Sequence, residues 1–292
     1  MSISKKARFF ISKRISPYPK IKWELNAEIK GSRKLRHALK YGKPINLWGK
    51  SHLHIYPVLE CNLQCYFCQN RFYVDKEPKI KFKPAKQWLK YLNRMYNVHH
   101  LDINGGEPML YPEIVELLNG LRNWNIVIFT NMPRNRIHTF QEIYPNNNNI
   151  MFCVSYHVLE EEKRGRDIAE FVKDFKTIPK RLNPTAHIID IPEISYKNIR
   201  TAFAKRGIFI QASDAITPTE HNKITDNFRV VKCKSDMDTI APDLKVYPCL
   251  AFMLRQINGK YISDYKFTNE HIFCGFYGLC GPCSTQKDII RL

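Results

Sequence analysis

Residues 53–59, Leu-His-Ile-Tyr-Pro-Val-Leu, run directly into Glu60-Cys61-Asn62-Leu63-Gln64-Cys65-Tyr66-Phe67-Cys68. The first part alternates and is β-rich, which reads as a strand; the second places three thiols within eight residues in the loop that follows it. Working outward, the same β-rich pattern returns at Val98–Asn104, Ile126–Thr130, Ile150–Tyr156, Ala186–Ile191 and Ile208–Ala212. Helical periodicity fills the gaps at Pro84–Tyr96, Pro112–Trp124, Arg134–Tyr144, Glu160–Lys176 and Tyr196–Lys205. Pro84 and Pro112 sit where first helical turns accept proline, and Gly207 follows the last helix. Strands alternating with helices predict βαβ units, hence a parallel sheet with right-handed crossovers. The expected fold class is α/β, a partial (β/α)6 TIM-like barrel, followed by a small cysteine-rich β-hairpin domain.

The position of the thiols matters because function in parallel sheets gathers at the carboxyl ends of the strands. Thiolates select zinc, Cu(I) or iron–sulfur clusters. Cys61, Cys65 and Cys68 have no fourth Cys or His close in sequence, so they point to a centre with one open coordination position, and an open position signals chemistry more than scaffolding. Gly105-Gly106-Glu107-Pro108 follows the second strand at the same end of the sheet. Paired glycines let backbone approach a ligand closely, and the adjacent carboxylate suits an ammonium group.

With C-x3-C-x2-C one βα unit ahead of GGEP, the sequence resembles the radical S-adenosylmethionine (SAM) superfamily over about residues 52–215. The resemblance implies that Cys61, Cys65 and Cys68 ligate three irons of a 4Fe-4S cluster while SAM chelates the fourth. It implies that Phe67 packs near the adenine, that Gly105, Gly106 and Glu107 hold the methionyl amine, and that Ser155 makes a polar SAM contact. The fifth strand departs from the glycine-and-glutamate motif of some members. The implied chemistry is reductive cleavage of SAM to a 5′-deoxyadenosyl radical that abstracts hydrogen from a substrate, with the protein aligning the reactants and excluding water.

Beyond a polar stretch near 213–230 the alternation is lost. Asp236–Cys249 reads as a hairpin turning at Pro242-Asp243, flanked by Cys233 and Cys249, and Cys280-Gly281-Pro282-Cys283 is a CxxC pair. Two such pairs joined by a hairpin can make a four-thiolate site. The arrangement is similar to the auxiliary-cluster domains of radical SAM enzymes called Twitch and SPASM, although Leu244 stands where those hairpins usually carry glycine. The similarity implies a second 4Fe-4S cluster on Cys233, Cys249, Cys280 and Cys283, with Cys274 a spare thiol or a substitute ligand; a structural zinc ribbon is the competing reading. Cys153, inside a strand, is expected in the core. The ten histidines show no metal spacing and are expected in core or surface roles, with His157 facing the cavity.

The chain of 292 residues carries a formal net charge of +19, and residues 1–50 account for +12 of it, with 14 Lys/Arg against Glu24 and Glu28. Three domains are expected: a basic extension over 1–50, the radical SAM core over 51–215 and the auxiliary-cluster domain over 216–292. The basic extension suits an anionic partner such as nucleic acid, a phosphorylated substrate or an acidic peptide, and suits a solvated arm equally. No run approaches the ~18 apolar residues of a membrane span, so no membrane partner is expected. A soluble, cytoplasmic protein with reduced thiols follows. The leading expectation is an enzyme that oxidises or cross-links a peptide, protein or small molecule with the help of the auxiliary cluster and a flavodoxin- or ferredoxin-like electron donor. The alternatives are the same radical chemistry on a nucleotide or nucleic acid gripped by the basic extension, and a non-catalytic, metal-stabilised nucleic-acid-binding module.

Overall fold

The computed structural model describes residues 45–46, 52–68, 70, 79–96, 100–122, 124–145, 149–191, 193–214, 229–234, 237–268, 270–277 and 289–291. Most of the basic extension, most of the polar stretch near 213–230, and Cys280 and Cys283 lie outside the described residues.

Six strands form where alternation predicts them: β1 (His52–Ile55), β2 (His100–Ile103), β3 (Asn125–Thr130), β4 (Ile150–Ser155), β5 (Pro184–Asp190) and β6 (Ile210–Asp214). Each pairs in parallel with the next in chain order. With crossovers of one hand, sequential order puts the connecting helices on one face of the sheet, which is how a βα barrel is wound. The helices are α1 (Ala85–Leu92), α2 (Ile114–Gly120), α3 (Val158–Lys163), α4 (Ile168–Phe175) and α5 (Tyr196–Ala204). α1 shows why they pack: Ala85, Trp88 and Leu92 lie one or two turns apart and are buried with Leu53 and Ile55 of β1 in the main core. The intervening His52 and His54 therefore face the other side of the sheet, the barrel interior.

Two expected helices differ in form. Arg134–Glu142 winds as a 3-10 helix. The stretch expected as one helix over Glu160–Lys176 is broken into α3 and α4 at Gly165, whose φ of +64° an α-helix cannot contain.

The predicted hairpin exists as β8 (Met237–Ile240) and β9 (Lys245–Tyr247), preceded by β7 (Arg229–Cys233). It extends the barrel sheet: β8 pairs in parallel with β1, with Ile240 beside Ile55, while β9 runs antiparallel to β8 and is followed by β10 (Lys260–Tyr261). The sheet thus crosses the expected division at 215/216. β11 (Ile272–Tyr277) and β12 (Ile289–Arg291) flank β7 in a separate three-stranded antiparallel sheet. Leu244 turns the hairpin with φ +67°, and its N–H bonds Ala241 O at 2.9 Å. A left-handed leucine costs about 1–2 kcal/mol; burying this side chain, 4% exposed, in the main core returns about 1.5–3 kcal/mol, so glycine is not required there.

Candidate metal and cofactor site

The cysteine loop leaves β1 and is held in place by residues distant in sequence. Gly106 N–H bonds Val58 O at 3.2 Å and Glu107 N–H bonds Glu60 O at 2.9 Å. This approach requires glycine: a Cβ on Gly106 would lie 2.1 Å from Leu59 O and 2.3 Å from Glu60 O, and one on Gly105 would lie 2.5 Å from Val58 O. The two glycines, which also line the cavity, thus lie directly against the strand end that carries the thiols. Further along the loop, Gln64 N–H donates to Glu160 at 2.9 Å and Tyr66 OH donates to Glu193 at 2.7 Å.

Glu107 is 1% exposed and accepts from Thr130 Oγ1 at 2.6 Å, Asn131 N–H at 2.6 Å and Met109 N–H at 2.9 Å. Burial pushes its carboxyl up to about 7, against the pull of those three donors. Three of roughly four acceptor sites are therefore used within the chain, and one is left for an ammonium.

Cys61, Cys65 and Cys68 line one cavity of about 270 Å³ with Phe67, Gly105, Gly106, Glu107, Asn131, Ser155 and His157. The structure thus brings together every residue expected to hold the first cluster and SAM. Cys61 is exposed, Cys65 is buried and Cys68 lies between them. The Cys65 thiol is pushed up to about 12, first by burial and then by the negative charges of Cys68, Glu160 and Cys61. Such a thiol ionises readily only beside a cation, which a metal centre supplies. Among the described residues no three His, Cys, Asp or Glu side chains converge on a single-ion site. A polynuclear cluster does not need that convergence, because its irons sit at separate corners and each takes one thiolate. Three thiolates at one cavity are a donor set that such a cluster accepts.

Phe67 stacks on His157, with ring centroids 5.7 Å apart at 24°. His157 meets the expectation of facing the cavity; burial lowers its ring to about 4 and keeps it neutral. Other histidines gather where no metal spacing revealed them. On the inner face of β1 and β2, His100 Nε2 meets Asp102 at 2.6 Å, His54 Nε2 lies 3.5 Å from the same carboxylate, and Asn104 Nδ2 bonds His54 Nδ1 at 3.2 Å. Asn131, unremarked in the sequence, lies against the cysteine loop; its signal is two paired asparagines 69 residues apart, which no local pattern shows.

The second cysteine group is only partly described. Cys233 and Cys274 are buried in a small core with Tyr56, Tyr247 and the helix α6 (Leu250–Leu254), and Cys249 packs against that core at the start of α6. Cys153 is buried in β4, as expected. Tyr56 lies within electrostatic reach of both groups: its hydroxyl is raised by burial, then by the charges of Asp102, Cys68 and Cys249.

An open βα sheet thus carries a strapped loop of three thiols at its carboxyl mouth, a donor set suited to an iron–sulfur cluster. Residues 55–185 match the family described as the radical SAM superfamily. The chain is 37% identical over 59 residues to the 7-carboxy-7-deazaguanine synthase of Clostridium acetobutylicum, covering 20% of this chain and 26% of that protein. It is 23% identical over 103 residues to the "Probable GTP 3′,8-cyclase" of Pyrococcus abyssi, covering 35% and 32%. The structure of native anSMEcpe with bound AdoMet and Kp18Cys peptide aligns with a TM-score of 0.51 at 15% identity, covering 74% of this chain and 79% of that one, and shares the fold. The matches thus span about a quarter to a third of the curated relatives' length. No helix among the described residues is long and apolar enough to cross a membrane.

Proposed function

We propose that the protein is a radical SAM enzyme in which Cys61, Cys65 and Cys68 hold a 4Fe-4S cluster and Phe67, Gly105, Gly106, Glu107 and Ser155 bind SAM. The observation that carries this reading is the meeting of all three thiols with the GGEP strap and Ser155 in one cavity at the carboxyl ends of the strands. The bound group supplies hydrogen abstraction through a 5′-deoxyadenosyl radical once reduced. The chain's part is to fix the thiolates with the Gly106, Glu160 and Glu193 contacts and to present a buried carboxylate to the amine. The substrate class proposed is a peptide or small molecule, with a second 4Fe-4S cluster on Cys233, Cys249, Cys280 and Cys283 taking part and an electron donor of the flavodoxin or ferredoxin kind. The solved relative anSMEcpe binds a peptide, which supports the substrate class. Nucleotide substrates form the second reading, favoured by the names of the two curated relatives, which refer to a deazaguanine and to GTP.

The test is anaerobic reconstitution, reduction and incubation with SAM. The proposal expects 5′-deoxyadenosine and about eight irons per chain, four for each cluster. About four irons with one zinc would remove the auxiliary cluster, and a fully loaded protein that makes no 5′-deoxyadenosine would end the enzyme reading.

The acidity of Glu107 adds a pH signature. An amine binds the ionised carboxylate, so SAM affinity rises with pH through about 7 and levels above it. Equilibrium dialysis on the reconstituted protein is expected to show SAM binding close to tenfold weaker at about pH 6 than at pH 7.5. A flat profile across that range would take the amine away from Glu107.

A further inference from the structure

We propose that Asn131 is a positioning residue that sets the reduction potential of the first cluster by donating its side-chain N–H toward Cys61. The inference rests on the cluster reading above. Asn131 Nδ2 lies 3.9 Å from Cys61 Sγ and 2.9 Å from Asn62 Oδ1, and Asn62 Nδ2 returns a bond to Asn131 Oδ1 at 3.2 Å. The two amides lock each other face to face, which leaves the second N–H of Asn131 available to the sulfur 3.9 Å away. Leu63 N–H also donates to Cys61 Sγ, at 3.4 Å, so this thiol receives two donors.

The support behind Asn131 is more elaborate than a surface amide requires. Its backbone N–H is held by the buried carboxylate of Glu107 at 2.6 Å. The next residue, Met132, is fully buried with φ +54°, a conformation that L-residues other than glycine adopt at a cost. Two bonds hold it there: Met132 N–H to Thr130 Oγ1 at 3.0 Å, and Arg166 to Met132 O at 3.1 Å. Arg166, 2% exposed, is itself anchored on Asp174 at 2.8 Å. A strained turn fixed from both sides keeps the Asn131 amide at Cys61.

The physical consequence is directional. Reduction adds one electron from the external donor, and the added negative charge is shared with the ligating sulfurs. An N–H aimed at one of them stabilises the reduced form more than the oxidised form, which raises the potential. Hydrogen bonds involving charged groups are strong enough that losing this one is expected to change the reduced-to-oxidised ratio about tenfold at fixed potential.

The experiment is an anaerobic redox titration of the reconstituted full chain, followed by optical and electron paramagnetic resonance spectra. For Asn131→Leu the reduced fraction is expected to fall about tenfold in ratio, equivalent to 59 mV for a one-electron couple. Asn131→Asp keeps the shape and the acceptor for Asn62 but places an anionic oxygen at the sulfur, and is expected to fall at least as far. Asn62→Ala unlocks the amide without removing it and is expected to shift less. If Asn131→Leu fails to load iron, the near-isosteric Asn131→Asp carries the test. A loaded Asn131→Asp with the wild-type midpoint overturns the proposal. Absence of any four-iron signal in the wild type overturns the cluster reading itself.

Discussion

Gly106→Ala is expected to strip the protein of most of its iron and to lower its stability by about 3 kcal/mol or more. The new methyl group would stand 2.1–2.4 Å from Leu59 O and from the carbonyl of Glu60. These are backbone atoms, so no side-chain rotation relieves the overlap; the strap and the strand end must part. Parting them breaks Gly106 N–H to Val58 O and Glu107 N–H to Glu60 O, the bonds that set the height of the cysteine loop over the cavity. Each is worth about 0.5–1.5 kcal/mol, and the remainder is strain and lost packing. Gly165→Ala is the control. Nothing lies within 4 Å of its added Cβ, but its φ of +64° is unfavourable for alanine, so about 1 kcal/mol is expected to be lost with iron retained. Thermal melts and iron analysis of the two variants make the comparison. Wild-type iron and melting temperature in Gly106→Ala would show that the strap does not set the loop.

The strands were legible because period-two patterns are local, as in Leu53 and Ile55 alternating with His52 and His54. The thiol loop and GGEP were legible because each is short and follows a strand. The partners that hold the loop were not: Asn62 with Asn131, Gln64 with Glu160 and Tyr66 with Glu193 are 69, 96 and 127 residues apart. Such pairs leave no trace in spacing, because the fold and not the chain brings them together. Gly105 and Gly106 line the cavity, and what their lack of a Cβ also admits is the backbone of residues 58–60 of the same chain, a neighbour that the GGEP string does not show. The hairpin was legible as a hairpin, but its attachment to β1 depends on a parallel pairing across about 180 residues of chain, which no local signal encodes.

Cys65→Ala is expected to abolish 5′-deoxyadenosine formation and to remove about four irons per chain while leaving the fold intact. Among the three loop thiols Cys65 is the buried one, and its thiol is pushed up to about 12 by burial and by the charges of Cys68, Glu160 and Cys61. An uncompensated thiolate there is unfavourable, so bringing Cys65 into its binding form requires the positive charge of the metal centre. Without Cys65 the loop keeps only the exposed Cys61 and the half-buried Cys68. Two thiolates would leave two of the four irons of a bound cluster without a protein ligand and open it to solvent. The fold is spared because alanine replaces a small side chain and the loop contacts run through Gln64 N–H, Tyr66 OH and the backbone of residues 58–60. Cys153→Ala separates loss of a ligand from loss of a buried thiol. Cys153 is also buried, with its thiol raised to about 11 by the same burial, but it lies within β4 and is expected to leave iron content and SAM cleavage unchanged. If Cys65→Ala keeps its iron and still cleaves SAM, the cluster is not bound where the three thiols meet. If Cys153→Ala loses iron to the same degree, burial and not ligation explains the effect.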